Sequence, residues 1–262
     1  MSQIPALMGG NKLSHSATFE KDVTFEGAVI GSNGLSSRFE LSWVAGQRGK
    51  PGINTDILNA IEAIRMIADP DFEVQGTNMT SALCTYYAEG GITLTTAGAD
   101  EDQAILVPHE DGNQSPWEQV TWGTDKEVAW EARIGTAANI SDVIIWAGLK
   151  LTNDNVVATD ADQVFFRYED GVGSGVWQVI SSIGGTDTTT NSTVTVAVST
   201  AYHLKIEVDS DQRARCYIND DLIYETAALT TDDHTPMIGV EAGATAAKSV
   251  VVFGQAISRV VG

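Results

Sequence analysis

From about Thr80 onward the chain shows no helical periodicity, only short runs in which apolar and polar residues alternate. Lys126–Ile134 sets Val128, Trp130, Ala132 and Ile134 on one face and Glu127, Glu131 and Arg133 on the other. Tyr202–Val208 repeats the pattern with Tyr202, Leu204, Ile206 and Val208 inward. Further runs cover 91–96, 104–108, 143–151, 163–168, 176–181, 193–198, 214–218, 222–225, 237–241 and 249–252, with a last one ending at Val260. Such spacing predicts about a dozen strands joined by polar turns, and the lack of intervening helices argues against a parallel sheet. The fold expected is mainly β, an antiparallel sandwich. Asn219-Asp220-Asp221, set between two of these runs, is a tight hairpin signal. The Thr-rich stretch 184–193 reads as a loop.

The N-terminal part has a different character. Val23-Thr24-Phe25-Glu26 and Phe39-Glu40-Leu41-Ser42-Trp43 suggest two short strands with too few apolar residues for a core of their own. They must pack on the main domain, on a second copy or on a foreign surface. A basic Gly/Pro-rich loop carrying Arg48 and Lys50 then leads into the one strong helical pattern, at about 55–68. Ile57, Ile61 and Ile64 recur at helical spacing, Asn54 or Thr55 can cap the start, and Pro70 lies just past the end. That apolar face fits either its own domain or another subunit. The division expected is an anchoring and oligomerisation arm at 1–70 and a sandwich at 71–262.

Charge sharpens the division. The chain has 15 basic and 35 acidic side chains, a net charge of -20. Residues 1–70 hold 6 basic and 7 acidic of these, leaving 9 basic and 28 acidic, or -19, in residues 71–262. So acidic a surface repels phosphate backbones, which excludes a nucleic-acid role. No run approaches the ~18 apolar residues of a membrane helix, and the N-terminus lacks the basic and apolar regions of a secretory signal. Cys84 and Cys216 stand too far apart in sequence for a CxxC motif and read as buried reduced thiols.

Motifs for chemistry are sparse. Glu207-Val208-Asp209-Ser210-Asp211 has the alternate spacing that can bring two carboxylates to the ~5–5.5 Å of a retaining glycosidase. Asp209-Ser210-Asp211-Gln212 reads better as the turn into the next strand, so no catalytic residue is expected. Asp160, Asp162, Asp220 and Asp221 offer oxygen ligands for calcium, but without the spacing of a recognised loop. The four histidines, at 15, 109, 203 and 234, fall in no metal-binding spacing, and neither a Gly-x-Ser-x-Gly elbow nor a phosphate loop occurs. Of the tryptophans, Trp130 belongs to the core by register, whereas Trp117 and Trp122, in a loop-rich stretch, are the candidates for stacking on a glycan.

Tyr202-His203-Leu204-Lys205-Ile206, followed by Tyr217-Ile218-Asn219-Asp220 and a hairpin return, resembles a recurrent pattern of concanavalin A-like, laminin G-like jelly rolls, with Asp220 where that family usually has Gly. Residues 127–134, 148–152 and 162–169 are similar to segments of virion proteins of tailed bacteriophages, which join a strand-and-helix arm to such a jelly roll. The resemblance implies a non-enzymatic structural protein on the virion exterior, of capsid-decoration type, made in the host cytoplasm. Its implied partners are capsid or other virion proteins and further copies of itself, a trimer being preferred. Arg48, Lys50, Ile57, Ile61 and Ile64 are the expected contact residues. The jelly roll also leaves open a lectin-like glycan-binding module, and more remotely a glycosidase.

Overall fold

The computed structural model describes residues 37–44, 72–109, 120–152 and 160–261. Backbone contacts divide the chain into a unit Met1–Ser37 and a unit Arg38–Gly262, and the fold below is that of the second. The expected helix at 55–68, with Arg48, Lys50, Ile57, Ile61 and Ile64, lies outside the described residues, as does Trp117.

Alternation builds one sheet. Strands β1 (Ser37–Val44), β2 (Phe72–Gln75), β3 (Cys84–Tyr86), β4 (Ile92–Thr95), β5 (Gln103–Pro108), β6 (Ala129–Thr136), β7 (Val143–Lys150) and β8 (Gln163–Glu169) are followed by β9 (Val176–Ile183), β10 (Thr186–Thr195), β11 (Ala201–Val208), β12 (Arg213–Ile218), β13 (Asp221–Ala228), β14 (Thr235–Ala242) and β15 (Ser249–Val261). The first sheet runs β13-β12-β11-β6-β15-β4-β3, with β1 also paired to β15. A second sheet runs β10-β9-β8-β7-β14-β5-β2. Every strand pairing with a resolved register is antiparallel, and the two sheets form a jelly-roll sandwich. Three single 3-10 turns are the only helical elements among the described residues.

In the first sheet the expected register holds. Along β11 Tyr202, Leu204, Ile206 and Val208 are buried while His203, Lys205 and Glu207 are half-buried on the outer side. Trp130 of β6 points inward and donates its indole N–H to Gln255 Oε1 at 3.1 Å, which satisfies the one polar atom that the core receives there. The hairpin at Asn219-Asp220 forms with both residues at positive φ, 53° and 70°, as a tight two-residue turn requires.

Two expectations fail. Residues 184–193 are not a loop: Gly184 and Gly185, at φ 56° and 80°, make a two-residue turn, and Thr186–Thr195 is the edge strand β10, paired to β9. Threonine is polar but β-branched, and a branched Cβ suits an extended backbone. The strand placed at 193–198 is therefore centred too far along the chain. Trp122 is not exposed either. It is 2% accessible and belongs to the main core, so it is not available to a glycan.

Candidate functional site

The two sheets present outer faces of opposite kinds. On the first sheet, β6, β11 and β12 turn a ladder of charged side chains outward. Glu131 Oε2 lies 3.1 Å from His203 Nε2, and Asp220 lies 3.4 Å from the other ring nitrogen. Lys205 Nζ meets Glu207 at 2.5 Å, and Arg215 bridges Glu225 at 2.8 Å and Asp209 at 3.0 Å. A groove of about 460 Å³ crosses this face between Glu127, Glu131, Lys205, Glu207, Asp209 and Arg215. Each of these basic groups is matched by a carboxylate, so the groove has no unbalanced cation for an anionic ligand.

The carboxylates singled out by spacing are structural here. Asp209 lies just beyond the end of β11. Its carboxylate accepts the backbone N–H groups of Asp211 and Arg213, each at 3.0 Å, and these hydrogen bonds with Arg215 nearby hold its pKa below the ordinary range. It caps the turn into β12. Glu207 sits on the strand and is tied to Lys205. The same logic governs the acidic pair Asp160 and Asp162. Asp160 accepts the N–H groups of Leu151 and Thr152 at 3.0 and 3.1 Å and the Thr152 hydroxyl at 2.7 Å, fastening the β7–β8 connection. Asp162 accepts the Gly184 N–H at 3.1 Å. Among the described residues no cluster of His, Cys, Asp and Glu could hold a metal ion.

On the second sheet the outer face is closed. Ile105, Trp146, Phe165, Ile180 and Met237 form a second apolar cluster there, with 0–4% exposure, separate from the core between the sheets. Trp146 lies flat over Gly239 of β14, where any Cβ would collide with the indole ring, so glycine is required at that position. Polar groups share the face. Lys150 and Asp160 have fully buried side chains 3.4 Å apart, Lys150 donates to Gln163 Oε1 at 2.5 Å, and its ammonium sits 4.2 Å from the centre of the Phe165 ring. Trp146 Nε1, Gln178 Oε1 and Ser182 Oγ are buried on this face with no hydrogen-bond partner. Sequence reasoning missed the whole surface. The readable signal was the unbroken apolar run Val143–Leu149 with Phe165-Phe166, the mark of a strand buried on both sides.

Neither cysteine is reactive. Burial pushes the Cys84 thiol up to about 12 and raises that of Cys216 further, so neither forms a thiolate near neutral pH.

The family described as SO2946-like, C-terminal domain, matches residues 115–259. The chain belongs to the SO2946-like family. The protein of unknown function SO2946 from Shewanella oneidensis MR-1 superposes with a TM-score of 0.53 over 89% of this chain and 90% of that one, at 12% identity. SO2946-like architecture therefore extends over nearly all of both chains. The carbohydrate recognition domain of Emp47p gives 0.49 over 73% and 89% at 10% identity, and the β-glucanase of Bacillus licheniformis 0.48 over 70% and 91% at 11%. No curated protein matches the chain. The likeness to SO2946 describes the fold alone, a two-sheet sandwich, and such a fold hosts binding modules and enzymes alike.

Proposed function

We propose that the protein is a non-enzymatic structural subunit of a bacteriophage virion, an exterior protein of capsid-decoration type, displayed as a sandwich and attached through residues 1–70. The observation that carries this reading is the closed outer face of the seven-stranded sheet, where Trp146, Phe165 and Ile180 have no exposure at all. A sandwich that packs one outer face and ties the basic side chains of the other to carboxylates is suited to be a solid building block. Its acidity serves the same role, because -19 over residues 71–262 keeps displayed copies soluble. Attachment falls to Ile57, Ile61 and Ile64, with Arg48 and Lys50 steering toward an acidic capsid or other virion protein.

Purified particles test the proposal. Mass spectrometry should find the chain in stoichiometric amount, antibodies to the sandwich should label intact particles, and joint replacement of Ile57, Ile61 and Ile64 by Ser should release it. Particles that lack the protein would overturn the reading. A lectin-like module is the second reading, and it is favoured by the groove of about 460 Å³ across the first sheet, whose charged side chains offer donors and acceptors to a sugar. Its test is calorimetric titration with neutral and acidic oligosaccharides, comparing the parent with Lys205→Met, which removes a donor from the groove.

A further inference from the structure

Sandwich proteins must protect the ends of their sheets, since an edge strand offers a row of unpaired backbone groups to any other strand. This molecule guards three of the four sheet ends. β2 and β3 are only four and three residues long. β13 carries Asp221 and Glu225, and two register shifts break its pairing with β12. β10 has no such protection. It runs for ten residues, and Thr186, Asp187, Thr188, Thr189, Asn191, Thr193 and Thr195 are all exposed. Its pairing with β9 is regular from Thr186 to Asn191, and the irregularity begins only after that. Asp187 is the one charged residue in the strand.

We infer that β10 is a self-association edge, and that a second copy of this chain pairs with it antiparallel, joining two seven-stranded sheets into one. Turn geometry selects the register. A two-residue turn makes the flanking residues Ile183 and Thr186 a hydrogen-bonded pair, so Thr186, Thr188 and Thr190 direct their N–H and C=O groups at β9. The groups of Asp187, Thr189 and Asn191 then face outward. A two-fold axis through Thr189 sets Thr189 opposite its own copy, Thr188 opposite Thr190 and Asp187 opposite Asn191. Side chains stay on matching faces, and the single charge never meets itself.

Electrostatics chooses the occupant. Two copies of a chain with net charge -20 repel over most of their surface, and a strip that carries one carboxylate in ten residues is where they can approach. Threonine facing threonine across strands is a favourable pair, with branched side chains that shield the new hydrogen bonds. The occupant is thus a neutral β-strand of the same sequence. A basic peptide would find only Asp187 there, whereas the charge ladder lies on the other sheet. This inference is independent of the virion reading, because self-pairing is measured on the free protein and attachment on particles.

The test uses the full chain in sedimentation equilibrium. The parent should show a concentration-dependent doubling of mass, strengthened as salt screens the repulsion between the two acidic copies. Thr189→Pro removes an outward N–H and no bond to β9, so this variant should keep the parent's near-ultraviolet spectrum and sediment at the mass of one chain. Thr189→Cys supplies the independent measurement. Cys84 and Cys216 are buried, so under mild oxidant the variant should give a covalent dimer, while Leu222→Cys on the protected edge should not. A parent that stays at single-chain mass at every concentration overturns the inference. So does a folded Thr189→Pro protein that still doubles in mass. Should Thr189→Pro fail to fold, the cross-link decides: its absence in Thr189→Cys overturns the inference and its presence supports it.

Discussion

The outer faces of the two sheets use charge in opposite ways. On β6, β11 and β12 the charged groups are numerous, half-exposed and linked to opposite charges, as with Lys205 and Glu207 at 32% and 40% side-chain exposure. At the end of β7 and in the connection to β8 an ion pair is hidden, that of Lys150 and Asp160, both at 0%. Coulomb attraction is many times stronger in the second setting, but so is the cost of stripping water from the ions. The lesson concerns failure rather than strength. A surface pair can be cut with water at hand to solvate the survivor, whereas cutting the inner pair takes the carboxylate away from a fully buried ammonium.

Breaking that inner pair gives the largest effect expected. Asp160→Ala leaves the Lys150 ammonium buried beside Gln163 and Phe165 and also frees the N–H groups of Leu151 and Thr152. Loss of one partner of a buried ion pair costs about 3–5 kcal/mol. Urea denaturation should register a fall of that size, and Lys150→Met, which removes the charge and keeps the chain length, should cost distinctly less than Lys150→Ala. Equal losses for the two Lys150 variants would mean that the charge, not the packing of the aliphatic stem, governs the site.

The second effect concerns pH. His234, immediately before β14, is 3% exposed, and neither ring nitrogen meets hydrogen-bond geometry. Burial lowers its pKa against the pull of the nearby Asp232 and Asp162 carboxylates, which favour the charged form. With the folded value depressed, the unfolded chain takes up the proton first as pH falls below about 6.5, and stability drops by at most about 1.4 kcal/mol per pH unit. Above that pH the group is neutral in both states and contributes no slope. His234→Leu, which loses two unpartnered nitrogens, should flatten the profile between pH 7 and pH 5, measured as Tm against pH. An unchanged slope would assign the acid sensitivity to other groups.

How far each region could be read from the sequence follows the same contrast. Alternation is legible wherever one face meets water, and so Trp130, Leu204 and Ile206 emerge in the core with the expected register, and the Asn219-Asp220 hairpin closes where expected. The second sheet is buried on both sides, which erases the alternation. Its strands could be located at 143–151 and 163–168, but nothing in the pattern said that Trp146 and Phe165 face away from the core and are buried nonetheless. β10 was lost for a different reason: its exposed threonines look like a polar loop until the Gly184-Gly185 turn sets them against β9. Trp122 was misjudged because a tryptophan outside any strand can still be carried into the core by the turn that follows it, here 124–126.

The smallest effect lies on the charged ladder, and it sharpens the comparison most directly. Lys205 and Glu207 face outward beside Tyr217, and the hydrogen bond that Lys205 donates to Glu207, together with the carboxylate's charge, raises the Lys205 pKa. In the interior such an arrangement would be critical. At the surface, water competes for both ends, salt screens the attraction, and holding two long side chains in one geometry costs entropy, so exposed pairs contribute about 0–1 kcal/mol. Glu207→Gln should therefore lower the unfolding free energy read from urea denaturation by no more than a few tenths of a kcal/mol, and the change should shrink further as salt is raised. A double-mutant cycle with Lys205→Met isolates the pair from the solvation of each member. A coupling energy approaching that of the Lys150–Asp160 pair would mean that the groove beside Glu207 is covered in the working protein, and the ladder would then be a contact surface rather than a solvated face.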